Sequence, residues 1–266
     1  MGRRSALCVL SIVLAGCAIS TQQEIQMGTD YARQINAQLP LVRDPEANRY
    51  LSLLGDSIAR VADDRNLDWR FYIVDSKEVN AFAVPGGFVY VNRGLIERTT
   101  NLSQLASVLG HEIGHVVERH SVQQMEAAQR ANFGLTLGCI LTRVCESTAA
   151  NAGINVAGNL VFAKFSRDHE RESDRVAIEY LVRAGIDPRG MPEMFRILME
   201  ERRRRPDGVS AWFNTHPLEE ERIEQAEALI AQINPATLRG LTKDTKPYQA
   251  FLARVRSLPT GSAARR

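Results

Sequence analysis

HEIGHVVERH, residues 111–120, holds three histidines and a glutamate within ten positions. Side chains four residues apart on an α-helix project from one face, so His111 and His115 can reach one metal ion together. Glu112 lies between them. Zinc lowers the pKa of water toward neutrality and polarises a scissile carbonyl; a glutamate at this spacing can take the water's proton and pass it to the leaving amine. A catalytic zinc takes three protein ligands and keeps one position open, so the motif needs one more ligand. His120 is near in sequence, but on a continuous helix it is rotated about 140° from His115. No glycine or proline lies between them to break the helix. His120 is therefore expected to play a structural or supporting part. Gly110 and Gly114 each cost a helix about 1 kcal/mol relative to alanine, which predicts that another element packs closely on this one.

A later stretch offers carboxylates. FSRDHERESDRVAIEYL, residues 165–181, contains Glu170, Glu172 and Asp174. Glu170 and Asp174 share a helix face, and Glu172 points elsewhere. Glu170 has the chemistry to bind the metal, with Asp174 one turn on to steady a ligand imidazole. On spacing alone the same residues read equally well as an ordinary charged helix surface.

HEIGH followed by SRDHERESD resembles a gluzincin peptidase family. Its members include HtpX, the CAAX prenyl proteases, the mitochondrial Oma-type proteases and bacterial periplasmic lipoprotein proteases. The family pattern is HExxH, then S-R-x-x-E-x-x-A-D on a later helix. The resemblance implies zinc, one ion per chain, held by His111, His115 and Glu170, with Glu112 as general base. Ser173 stands where the pattern has alanine, and Asp174 matches its aspartate, beside a ligand. NAFAVPGG, residues 80–87, is similar to the family's strand next to the active site, which makes Asn80, Ala81, Phe82 and Ala83 the candidate substrate strand. THPLEEER, residues 215–222, resembles the late His-Pro motif. His216 and Arg222 inherit from it a place near the zinc, where the histidine stabilises the oxyanion or covers the site. The likeness extends over roughly residues 25–235.

The N-terminus reads as an export signal: MGRR is basic and SALCVLSIVLAG is an apolar run too short to span a bilayer as a mature helix. Leu14-Ala15-Gly16-Cys17 resembles a bacterial lipobox, which makes residues 1–16 the signal, Cys17 the lipidation site and 17–23 a tether. Ala18 after the cysteine is similar to the outer-membrane sorting pattern of Gram-negative lipoproteins. Processing there removes Arg3 and Arg4, so 33 basic residues become 31, equal to the 31 acidic ones. A neutral mature chain is a poor nucleic-acid binder. Cys139 and Cys145 remain, a candidate disulfide in an oxidising compartment.

The chain reads as α+β, predominantly helical: a zincin-like metallopeptidase with a small antiparallel sheet beside the HExxH helix. Helices are expected over 24–38 and 44–63, where Leu51, Leu54, Ile58 and Val61 form one apolar face. Asp44-Pro45 supplies an N-cap and a first-turn proline. WRFYIVD (69–75), 80–84 and 88–91 read as strands, the last two joined by Pro85-Gly86-Gly87. Asn101 and Gln104 have capping-box spacing. Further helices are expected within 132–163, over 165–184, from Pro188 to the arginines at 202–205, over 218–233 and over 248–257. One peptidase domain covers 24–257, and 258–266 reads as a disordered tail.

These observations point to a zinc metalloendopeptidase tethered in the bacterial envelope, facing the periplasm, at the outer membrane by its sorting residue. Its expected substrates are misfolded or unassembled envelope polypeptides, and the outer-membrane assembly machinery is a candidate partner. The alternative is a periplasmic chaperone or assembly factor for outer-membrane proteins on a zincin scaffold, with latent protease activity.

Overall fold

The histidine motif lies on a helix that is buried all round. The computed structural model describes residues 18–130, 164–205, 210–217 and 220–259. The expected signal, Cys17, Cys139, Cys145, the helices expected within 132–163 and residues 260–266 of the tail lie outside them. In chain order the elements are α1 (Thr21–Gln38), α2 (Pro45–Ala62), β1 (Arg70–Val74), β2 (Ala81–Val84), β3 (Phe88–Asn92), α3 (Arg93–Arg98) and α4 (Leu102–Val117). Then follow α5 (Arg167–Arg183), α6 (Gly190–Arg204), α7 (Ser210–Thr215), α8 (Glu220–Ala231), α9 (Pro235–Arg239) and α10 (Lys246–Ser257).

Every residue of α4 from Leu102 to Val116 is buried. It is wrapped by α2, α5, α6 and the sheet. Leu51, Leu54 and Ile58 of α2 and Leu105, Leu109 and Ile113 of α4 join one apolar core, with Val61 packed at its margin. The glycines explain how α5 comes so near. A Cβ on Gly114 would stand 2.6 Å from Ser173 Oγ and 3.2 Å from the Ser173 carbonyl oxygen. At Gly110 the nearest atom would be Ala177 Cβ at 3.4 Å.

The local start signals act largely as expected. Asp44 caps α2 by accepting from the Ala47 amide at 2.8 Å, with Pro45 in the first turn. Asn101 caps α4 by accepting from the Gln104 amide at 3.1 Å. Gln104 Oε1 instead accepts from the Thr100 amide, so the return arm of the box lies one residue earlier.

The sheet is mixed, where an antiparallel one was expected. Its order is β1-β3-β2. β2 and β3 form the antiparallel hairpin, turning at Gly86 and Gly87 with φ of 83° and 98°. Backbone in that region is where glycine is favoured. β1 lies on the far side of β3 and runs parallel to it. The segment after β1 therefore carries the chain past β3 before the hairpin forms. Alternation in sequence marks a strand but does not name its partner; the partner is set by burial, and β3, FVYVN, is buried at all five positions as the middle strand.

Two further expectations need correction. The tether ends at Ser20, whose hydroxyl accepts from the Gln23 amide in a capping box, so residues 21–23 are already helix. The helix after His115 does break: 118–119 form a turn, Arg119 has φ 59°, and residues 120–130 are helical again. No sequence breaker is present because the turn is held by side-chain contacts made elsewhere in the fold.

Candidate metal centre

Three segments bring the cluster together. α4 presents His111 and His115 on one face, α5 presents Glu170 in its first turn, and His216 follows α7. His111 Nε2 and His115 Nε2 lie 3.0 Å apart. Glu170 places Oε1 3.3 Å from His115 Nε2 and Oε2 3.6 Å from His111 Nε2. His216 Nδ1 is 3.4 Å from His111 Nε2 and 3.0 Å from Glu170 Oε1. These four donor atoms lie within 4.8 Å of one another, and all four residues are buried. A tetrahedral zinc with bonds of about 2.0–2.1 Å separates its ligands by about 3.4 Å. The observed spacings bracket that edge.

Each ligand candidate is supported from behind. Asp174 Oδ1 sits 2.8 Å from His111 Nδ1, which leaves Nε2 toward the cluster. Arg222 grips Asp174 with two donors, Nε at 2.7 Å and Nη2 at 2.8 Å, and donates from Nη1 to Glu170 Oε2 at 2.5 Å. The Ser173 hydroxyl donates to the His111 carbonyl at 2.5 Å, a bond that the alanine of the resembled pattern would lack. His120 is fully buried and puts Nδ1 2.9 Å from His115 Nδ1. It stays outside the group of four, a supporting residue as expected, and reaches it because of the break at Arg119.

Electrostatics set Glu170 and His115 in states suited to a cation. Burial opposes the Glu170 charge, but His216, Arg222 and His115 outweigh it and hold the carboxyl well below its ordinary range. Burial likewise opposes ionised Asp174, and Arg222 with His111 lowers it nonetheless. Burial keeps His115 neutral by pushing it well below the usual imidazole value. His216 is raised: burial opposes its charge, and the Glu170 and Glu112 carboxylates prevail. Burial, with His169 beside it, takes His120 down to about 4. A charged carboxylate beside a neutral imidazole suits divalent-metal binding, whereas His216, held toward its charged form by the two carboxylates, must lose its proton to join as a ligand.

Glu112 is buried, and its Oε1 has no hydrogen-bond partner among the described residues; His216 Nε2 stands 3.5 Å away. Burial raises its pKa, against His216, His111 and the Ala83 amide. That amide belongs to β2, the edge strand, which packs on α4. Of the expected substrate strand, Ala83 reaches the site through this amide, while the Phe82 ring stacks on Tyr90. Such an unsatisfied buried acceptor next to convergent ligands fits a group that handles a proton.

Sequence reading missed the aromatic walls. Phe165 stacks on His115 with centroids 4.0 Å apart, and Trp212 lies 4.6 Å from His216. The chain has two tryptophans, and one lying four residues before His216 is the signal that was available.

Known proteins are similar in sequence to this chain. Over 253 residues the chain is 35% identical to the Beta-barrel assembly-enhancing protease of Escherichia coli O157:H7, covering 92% of this chain and 50% of that protein. Over 176 residues it is 28% identical to the mitochondrial Metalloendopeptidase OMA1 of Bos taurus, covering 62% and 33%. Over 185 residues it is 29% identical to Metalloprotease LoiP of Escherichia coli (strain K12), covering 67% and 69%. The chain spans about half the length of its assembly-enhancing relatives. Residues 45–230 match Peptidase family M48, a span that includes both α4 histidines, Glu170 and His216. The family implies a divalent metal and the clustered donors fit one: the chain belongs to peptidase family M48, a family of metallopeptidases.

Proposed function

We propose that residues 24–257 form one zinc-dependent endopeptidase domain that cleaves misfolded or unassembled envelope polypeptides. The observation that carries this reading is the convergence of His111, His115 and Glu170 beside the unpartnered oxygen of Glu112. When bound, zinc supplies Lewis acidity toward the carbonyl and toward water. Glu112 accepts the water's proton and delivers it to the leaving amine, a role its burial-raised pKa suits. The edge strand at 81–84 takes an extended peptide by strand addition, which reads main chain and tolerates many sequences. Asp174 and Arg222 keep the ligands oriented.

The likeness to the Beta-barrel assembly-enhancing protease favours a role near outer-membrane protein assembly. A lipid on Cys17 would hold the domain at the periplasmic face of the membrane. Among the described residues no helix is long and apolar enough to cross it. Palmitate labelling that survives Cys17→Ala would remove the anchor from this reading. A chaperone role on the same scaffold predicts rescue by a proteolytically dead variant.

The position of His216 favours a second, compatible reading. Its Nδ1 sits among the donor atoms and its Nε2 faces Glu112, where the reacting groups must come. In this reading a deprotonated His216 would hold the fourth position at rest, until a substrate or partner moves it. His216→Ala raises casein cleavage if the residue occludes the site, and lowers it if donation to the oxyanion dominates.

The deciding experiment is Glu112→Gln with zinc content measured. Zinc is retained and casein cleavage falls by at least about a thousandfold, the scale of losing a proton-transfer group in a preorganised site. Undiminished cleavage would overturn the mechanism. Glu170→Ala loses zinc, and His120→Ala keeps it.

A further inference from the structure

Arg119 is one of two non-glycine residues with positive φ among the described residues, at 59°; the other is Asn66 at 56°. Asparagine tolerates this region better than an arginine does. The Arg119 side chain shows what holds it there. Nε donates to Glu24 Oε2 at 2.8 Å, and Nη2 donates to the Ile19 carbonyl at 2.5 Å. Glu24 is fully buried, and the same oxygen accepts Arg65 Nη1 at 3.0 Å. Arg65 Nη2 in turn donates to the Val116 carbonyl, in the last turn of the metal-bearing helix, at 2.8 Å. The Ile19 amide donates to Glu126 Oε1 at 2.8 Å, within the helical run that follows the break. Residues 19–24 are thus fastened to both sides of the turn at 118–119.

That turn determines where His120 goes. The left-handed residue breaks the helix, and the next side chain, His120, meets His115 with Nδ1 2.9 Å from Nδ1. A glycine would adopt this turn freely. An arginine there supplies two contacts to the N-terminal segment that a glycine cannot.

We propose that Glu24 is a positioning residue of the metal centre: through Arg119 it holds the break after α4 and keeps His120 on His115, and through Arg65 it steadies the helix end. The proposal rests on the reading of His111, His115 and Glu170 as a zinc site. It makes residues 19–24 part of the site's support, and it joins the segment next to the expected lipid position to a metal ligand.

The test uses the full chain with zinc affinity read by chelator competition, alongside thermal melting of the metal-free protein. Glu24→Gln keeps the side-chain volume and removes the charge; Arg119→Gly leaves the turn accessible but removes the donors that hold it. Each weakens zinc binding about tenfold, the scale of losing an outer support of a ligand. The double variant binds no more weakly than the weaker single one, because both cut one link. Wild-type affinity in either variant overturns the proposal, whatever happens to the melting temperature, since a brace for α1 alone would change stability without changing affinity. The readout needs no peptide: a chain that binds zinc in this pattern yet leaves casein intact would refute the endopeptidase reading and uphold this one. Zinc retained by His115→Ala would instead overturn the site assignment and this proposal with it.

Discussion

The two histidines of α4 are supported in unlike ways. His111 leans on Asp174, a buried carboxylate that is itself gripped by the two-pronged Arg222. His115 leans on His120, a neutral imidazole whose far nitrogen lies 3.3 Å from Glu172, a carboxylate with 43% of its side chain exposed. The first support is charged and sealed from water; the second is neutral and ends at solvent. Interactions in a sealed site are screened far less than those at the surface. The His111 side is therefore the rigid half of the centre and the His115 side the adjustable half. The break at Arg119 belongs to the adjustable half.

The largest expected effect breaks the rigid half. Asp174→Ala leaves the Arg222 guanidinium buried with one carboxylate partner instead of two. Removing one member of a buried charge pair costs about 3–5 kcal/mol, and zinc affinity should fall about 10- to 100-fold. Urea unfolding and chelator competition measure the two losses. Equal losses in His120→Ala would erase the distinction between the halves.

A smaller effect tests the close approach that brings Ser173 onto the His111 carbonyl. Gly114→Ala forces a methyl against Ser173 and should cost about 1–3 kcal/mol as an overpacking change. Gly110→Ala meets only ordinary contact at Ala177, and the gain in helix propensity should leave stability within about 1 kcal/mol of wild type. Thermal melts of the pair compare them directly; a larger loss at Gly110 would mean that α5 is not the element pressing on α4.

The smallest effects sharpen the adjustable half. His120→Ala should weaken zinc about tenfold while leaving the site able to fill. Glu172→Ala, removing an exposed partner, should change affinity by less than about threefold, as a solvent-screened contact does. A Glu172 effect as large as that of His120 would show that the relay to the surface matters as much as the buried ring.

Much of this was legible in the chain. The four-residue spacing of His111 and His115, with Glu112 between, defines one helix face whatever the fold around it. The exclusion of His120 as a ligand agrees with the structure although its premise, a continuous helix, does not, since the helix breaks at 118–119; Gly110 and Gly114 announce a close neighbour because glycine is costly in a helix interior. The helix starts at Asp44 and Asn101 were readable because caps are local chemistry. The strand partners were not, since the parallel pairing of β1 with β3 depends on which strand is buried on both faces.

The sequence by itself determined the local elements and the residue types of the centre, because both rest on contacts within a turn or two of helix and on motifs of fixed spacing. Only the tertiary structure decided how they meet. It closed Glu170 onto the α4 histidines across more than fifty residues, set His216 among them, and turned the chain at Arg119 through a carboxylate nearly a hundred residues earlier. Each of those outcomes depends on burial and long-range pairing of charge, which no stretch of ten residues contains.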